Sequence, residues 1–164
     1  MIVERFQALQ AEEVAELIKR NLLEITSQYY SPEYVASLID HHSPTQLLAK
    51  ADTQYIFVAM EDGKAIGTGS LANFGTPEIP SYYGTAIFVA LELHRKGIGR
   101  QIVQKVEEKA LELGADKITV RAAVNARLFY EKLGYTYKDG IAMPDEKGNF
   151  VMDKALLIKN YSGE

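Results

Sequence analysis

Residues 88–100, reading Phe-Val-Ala-Leu-Glu-Leu-His-Arg-Lys-Gly-Ile-Gly-Arg, constrain the fold of this chain more than any other stretch. An apolar run through Phe88, Val89 and Ala90 reads as the end of a strand, and a short basic turn follows it. After Gly99 the apolar positions Ile102, Val103, Val106, Ala110 and Leu111 keep helical spacing as far as a C-capping Gly114. A helix start leaves about four backbone N–H groups without intrahelical partners and carries a partial positive charge. Gly97 and Gly99 withdraw side chains from those groups, while Arg95, Lys96 and Arg100 add formal positive charge, so the corner suits a phosphate or pyrophosphate. The same glycines would equally serve a plain left-handed turn with solvated cations around it. The strand before and the helix after are what support the anion site.

The chain has 164 residues, the length of one domain, and we read residues 1–164 as a single one. With 47% hydrophobic and 24% charged residues it has the composition of a soluble globular protein. It contains no cysteine, which excludes disulfides, thiolate nucleophiles and cysteine-ligated zinc or iron–sulfur sites. Neither a basic-then-apolar leader nor an apolar run near 18 residues occurs, so the expected location is the cytoplasm, with no membrane partner. The net charge of −4 argues against nucleic acid as the main partner. That charge is uneven: residues 1–82 hold 5 Lys/Arg against 11 Asp/Glu, and residues 83–164 hold 13 against 11. A polyanionic ligand therefore belongs to the second half, and an acidic first half suits an amine.

Taken in order, Ile2–Leu9 suggests an edge strand leading into a helix of about four turns from Ala11, with Val14, Leu17, Ile18, Leu22 and Ile25 at helical spacing. Ser31-Pro32 supplies a cap and a first-turn proline for a second, shorter helix ending near Asp40–Pro44. His41 and His42 read as a polar helix terminus in preference to a metal site, since neighbours in sequence point apart and few further ligands lie nearby. Tyr55–Met60, Glu61–Lys64 and Ala65–Leu71 form a strand, a tight turn and a returning strand. Gly67 and Gly69 fall on one face of the latter, where either helix packing or a ligand could approach closely. A loop over residues 73–81 precedes the strand Tyr82–Ala90. Downstream lie a strand at Lys117–Arg121, a short helix at Asn125–Leu133, a strand from Tyr135 toward Met143, a turn at Pro144–Gly148, and a final strand, straight or bulged, over residues 150–158. The expected fold is α/β (α+β): a mixed, mostly antiparallel central sheet flanked by helices, with one parallel strand–helix–strand crossover.

These residues resemble the GCN5-related N-acetyltransferase (GNAT) superfamily across nearly the whole chain. Its pattern of a strand end followed by Arg/Gln-x-x-Gly-x-Gly/Ala is similar to Val89-Ala90-Leu91 and His94-Arg95-Lys96-Gly97-Ile98-Gly99. Its second element, an Asn-Ala segment, a Phe/Leu-Tyr pair and a Gly-Phe, is similar to Asn125-Ala126, Phe129-Tyr130 and Gly134-Tyr135. Two departures stand out: His94 replaces Arg or Gln, and Leu91 replaces a common proline. With most phosphate contacts made by backbone, the first implies tuning of the anchor, and the second a less rigid strand end.

The resemblance implies an acetyl-CoA-dependent N-acetyltransferase acting by direct transfer in a ternary complex. Acetyl-CoA would be held as a cosubstrate, its pyrophosphate on the 94–100 turn and its pantetheine arm along Phe88, Val89, Ala90 and Leu91. Asn125 would bond that arm, Phe129 pack against it and Lys132 lie near phosphate or ribose. A backbone N–H at Phe88–Val89 would polarise the acetyl carbonyl. Tyr130 would protonate the departing thiolate; without the resemblance it reads as a core tyrosine. For the base that receives the amine proton, Glu78 in the loop leads, with Tyr82, Tyr83 and Glu24 behind it. A solvated loop carboxylate describes Glu78 equally well, and a water chain could serve instead. The expected acceptor is the primary amine of a small molecule, with Tyr29, Tyr30 and Tyr82 lining its pocket. A protein or peptide acceptor, or a noncatalytic acyl-CoA-binding module, are the alternatives. No metal is expected. A homodimer is a further expectation, with the strand at residues 149–158 as its candidate interface.

Overall fold

The computed structural model describes residues 1–157. Seven strands form one sheet in the order β1-β2-β3-β4-β5-β7-β6: β1 Ile2–Arg5, β2 Tyr55–Glu61, β3 Lys64–Asn73, β4 Tyr82–Val89, β5 Lys117–Ala122, β6 Thr136–Tyr137 and β7 Phe150–Ala155. β1 at the edge runs antiparallel to β2, and β7 is antiparallel to both β5 and β6. The parallel step is β4 to β5, with Tyr83 opposite Thr119 and Gly84 opposite Val120. Among the described residues five α-helices accompany the sheet: α1 Ala11–Glu24, α2 Pro32–His41, α3 Pro44–Lys50, α4 Ile98–Glu112 and α5 Arg127–Lys132. This is the mixed sheet with one parallel crossover that the periodicity implied. No helix among the described residues is long and apolar enough to cross a membrane.

The backbone divides into two compact units, one holding Met1–Ser70 and Ala86–Lys105, the other Leu71–Thr85 and the described residues from Val106 on. In the first, successive residues of β2 serve opposite faces. Val58 packs with Val14, Ile18 and Leu22 of α1, Val35 of α2 and Leu47 of α3, while Ala59 packs with Ile66, Ile98 and Ile102. Asp62 and Gly63, at φ 51° and 76°, close the two-residue turn between β2 and β3, the left-handed geometry that matches strand twist. Gly67 lies against α4, since a Cβ there would stand 2.5 Å from Ile102 Cδ1. Close helix packing, not ligand approach, is what that glycine serves.

Three local expectations are corrected. Ser43-Pro44 starts a further helix, α3, with the Ser43 hydroxyl accepting from Gln46 N–H at 3.2 Å; it repeats the Ser31-Pro32 signature, which caps α2 through Tyr34 N–H. The strand expected from Tyr135 toward Met143 is only the two residues of β6, because Lys138–Gly140 turn away with Asp139 at φ 58°. The final strand runs unbroken over Phe150–Ala155; Ile158 lies outside the described residues. The other boundaries agree closely, including the C-cap at Gly114, where φ is 90° and Ala115 N–H bonds the Ala110 carbonyl at 2.9 Å.

In the second unit, a buried polar triad joins α4 to β7. Glu107, 3% exposed, accepts from the Tyr135 hydroxyl at 2.7 Å and from Lys154 Nζ at 3.1 Å. Tyr135 meets the Tyr130 ring edge to face at 5.4 Å, and Phe129 meets it at 5.0 Å. Aromatic contacts thus fix Tyr130 from two sides.

Candidate active site

The basic turn is built as an anion corner. Arg95 and Gly97 both carry left-handed backbone, φ 66° and 83°, and 15-residue α4 begins directly after them at Ile98. Alternating left- and right-handed residues turn successive N–H groups toward one concavity. A Cβ at Gly97 would meet nothing within 4 Å, so the space over the turn is open. Arg95, Lys96 and Arg100 are exposed around it, Ile98 is buried as the helix anchor, and no acidic residue occupies the first turn of α4. All of this favours a polyanion.

The strand leading into that turn has an interruption that its sequence conceals. Ala86 sits at φ 54° within β4, a region costly for a residue with a Cβ. Gly84 faces Val106 of α4, and Ile87 and Val89 pack with Ile98 and Ile102 of the same helix. Residues three apart fall on opposite faces of a regular strand, so one residue has been inserted at Ala86, as in a β-bulge. Thr85–Ala90 are all only partly buried, although β4 is the middle strand of seven. The stretch is thus not sealed from solvent, although the Ala90 N–H is taken by the Ile66 carbonyl at 2.8 Å.

His94, where a longer cation or amide is usual, turns back on the strand. Its Nε2 lies 2.8 Å from the Val89 carbonyl oxygen, and a carbonyl can only accept, so Nε2 carries the proton. The same oxygen accepts from Asn21 Nδ2 at 3.0 Å, and that amide also bonds the Leu17 carbonyl. Helical periodicity alone does not single out Asn21. Its signal is a polar residue on the buried stripe of α1, where it is 6% exposed. Leu91 lies in a single 3-10 turn, Leu91–Leu93, which joins strand to basic turn without a proline. Beside it is a groove of about 500 Å³ lined by Leu17, Arg20, Asn21, Ile66, Ala90 and Leu93. Arg20 and Glu92 form a 2.9 Å ion pair at its rim.

Tyr130 is buried at 8% exposure, and burial raises its phenol pKa well above the ordinary value. Its hydroxyl forms no hydrogen bond among the described residues, yet no buried side-chain oxygen or nitrogen there lacks a partner, so the hydroxyl oxygen reaches accessible space. Phe129 is partly buried, and Asn125 and Lys132 are exposed. Asn125 stands in a 3-10 turn, Val124–Ala126, ahead of α5.

The acceptor-side candidates are less gathered. Glu78 is exposed on the 74–81 loop, its carboxylate making no hydrogen bond or ion pair among the described residues. Tyr82 is partly buried at the start of β4, as is Tyr83, which contacts Phe74 and Arg121. In the first unit, Tyr29 is 52% exposed, whereas Tyr30 packs against the helical core and the Tyr34 ring at 5.1 Å; Glu24 ends α1, exposed. Nδ1 of His41 and of His42 bonds the carbonyl of Ser37 and of Leu38, the polar terminus expected of them.

The fold of this chain is shared by a class of acyl-group transferases, the N-acetyltransferases, among solved structures. The PaiA N-acetyltransferase of Thermoplasma acidophilum, in complex with coenzyme A, matches 94% of this chain and 98% of its own, with TM-score 0.80 and 18% identity. A GCN5-related N-acetyltransferase from Rhodopseudomonas palustris matches 94% and 95%, with TM-score 0.78 and 21% identity. The aminoglycoside 6'-N-acetyltransferase of Enterococcus faecium matches 96% and 98%, with TM-score 0.71 and 14% identity. No curated protein sequence matches the chain. The profile of the acetyltransferase (GNAT) domain matches residues 24–143, and the chain belongs to that family of N-acetyltransferases.

Proposed function

We propose that residues 1–164 form a single domain that moves the acetyl group of acetyl-CoA to the primary amine of a small molecule by direct transfer in a ternary complex. The observation that carries this reading is the corner at Arg95–Arg100, where two left-handed residues, an open helix start and three exposed cations converge. Those groups fit the pyrophosphate of the coenzyme, with Phe88, Val89, Ala90 and Leu91 offering backbone to its arm and Asn125, Phe129 and Lys132 side chains. The coenzyme supplies an activated thioester; the chain has to orient it, polarise its carbonyl and deliver a proton.

Polarisation falls to a backbone N–H in the partly exposed Phe88–Val89 segment. Tyr130 holds its proton on a hydroxyl that burial keeps neutral and that is free to donate to the thiolate. Glu78, or water in its place, receives the proton of the amine. The acetylated amines of some structural relatives, aminoglycosides among them, agree with a small acceptor lined in part by Tyr29, Tyr30 and Tyr82.

Calorimetric titration with acetyl-CoA, followed by coenzyme-release assays across polyamines, aminoglycosides, amino acids and peptides, tests the reading. Micromolar binding and turnover of a small amine are expected. Binding without turnover on any amine would favour an acyl-CoA-binding module, turnover of peptides alone a protein acetyltransferase, and failure to bind would sink both.

A further inference from the structure

Arg121, in the second unit, is an exposed arginine packed against two aromatic rings. Its guanidinium carbon lies 4.8 Å from the Tyr83 ring centroid and 5.5 Å from that of Phe74, and the two rings are 5.1 Å apart. Among the described residues it forms no ion pair and no hydrogen bond, and it is exposed. Packing against aromatic faces fixes the plane of a guanidinium while leaving its N–H edges unspent, and those edges match the two oxygens of a carboxylate. The arginine has been oriented without being neutralised.

Its position in the sheet gives that orientation a use. Gly84 faces Val120, Ile118 and Val106, so Tyr83 and its register partner Thr119 face away from α4, and Arg121, two residues beyond Thr119, shares their side. The β4–β5 ladder is paired at Tyr83 and Gly84, and the next position along β5 is Arg121 itself. Within the same unit, Phe74 and Tyr83 flank the segment that carries Glu78 and Tyr82, closed by the Phe74 N–H donating to the Ser81 carbonyl at 2.9 Å, so Arg121 packs against the base of the loop assigned above to the acceptor.

We propose that Arg121 binds a carboxylate of the acceptor, so that the substrate class is a primary amine bearing a carboxylate, as in an amino acid. The inference rests on the acetyltransferase reading above. A carboxylate suits the site better than a phosphate dianion. Arg121 is a single cation, and on the same strand face Asp153 accepts from the Thr119 hydroxyl at 2.7 Å, adding negative charge close by. Lys154 is on the other face, engaged by Glu107.

The test uses matched acceptor pairs, each amino acid beside its primary amide, with wild type, Arg121→Gln and Arg121→Lys. Turnover is read as kcat/KM, and acceptor binding by calorimetry with coenzyme A present. Wild type is expected to favour the acid of a pair by about tenfold or more, Arg121→Gln to abolish that preference through KM, and Arg121→Lys to restore part of it. Amide turnover and coenzyme affinity should be unchanged in both variants. Equal handling of acid and amide by wild type in turnover and binding, or equal loss on both in Arg121→Gln, overturns the proposal while leaving the acetyltransferase intact. Failure of wild type to bind acetyl-CoA at all overturns the reading beneath it.

Discussion

His94 Nε2 donates to the Val89 carbonyl oxygen at 2.8 Å, so a side chain of the basic turn holds the end of the strand that feeds it. Asn21 reaches the same oxygen from α1 at 3.0 Å, which makes Val89 the point where helix, strand and turn are tied together. The substitution of histidine for a longer residue is thereby explained as an internal strut.

Removing that strut should loosen coenzyme binding without touching chemistry. His94→Ala is expected to raise the acetyl-CoA dissociation constant about three- to tenfold, the size of one lost hydrogen bond, with kcat little changed. His94→Gln, whose amide can still donate, should recover part of it. Calorimetry with each variant checks both; a fall in kcat at constant affinity would place His94 in the chemistry instead.

Tyr130→Phe should cut kcat by about a hundredfold or more while leaving coenzyme affinity intact, because only the proton donor is lost. The raised phenol pKa has a second consequence. Above about pH 10, where an unfolded tyrosine ionises, the buried phenol stays neutral, so the unfolded state gains and stability falls as pH rises. Thermal melts between pH 8 and about pH 11 should show a shallower alkaline loss for Tyr130→Phe than for wild type. Parallel curves would show that the phenol titrates alike in both states.

Acid acts through His42, whose pKa burial lowers. Its ring bonds the Leu38 carbonyl at 2.7 Å and meets Phe88 edge to face at 6.0 Å. Below about pH 6.5 the unfolded histidine takes up a proton that the folded one refuses, so stability declines as pH falls through that range. His42→Gln should flatten the decline between roughly pH 6.5 and 5, even if it lowers the melting temperature at neutral pH. An unchanged acid slope would refute the assignment.

The triad at Glu107 should dominate the stability of the second unit. Glu107→Ala removes the shared acceptor of Tyr135 and Lys154 from a nearly inaccessible place, at a cost of about 3 kcal/mol or more, which is roughly 10 °C in melting temperature. Tyr135→Phe loses one hydrogen bond and should cost about 1–2 kcal/mol. Differential scanning calorimetry separates the two. Near-neutral behaviour of Glu107→Ala would mean the site rehydrates on mutation.

Much of this protein was written locally. The periodicities of α1 and α4, the Ser31-Pro32 cap, the Asp62-Gly63 turn and the Gly114 stop each depend on residues a few positions apart, and each formed where those residues required. Ser43-Pro44 carries the same information, although its helix is short enough that periodicity alone does not show it. The basic turn also announced itself, because helix-start electrostatics and glycine geometry are properties of neighbouring residues.

Tertiary structure decided what depends on distant partners. That Gly67 makes room for Ile102, that His94 and Asn21 meet at one carbonyl, and that Arg121 lies across Phe74 and Tyr83 are all consequences of how strands and helices stack. The inserted residue at Ala86 belongs with them, since alanine has no preference for a left-handed backbone and only the packing of Gly84, Ile87 and Val89 on one side of β4 holds it there. Sequence sets the conformations each segment favours; which side chains end up sharing a face, a carbonyl or a ring is fixed when those segments compete for the same buried space.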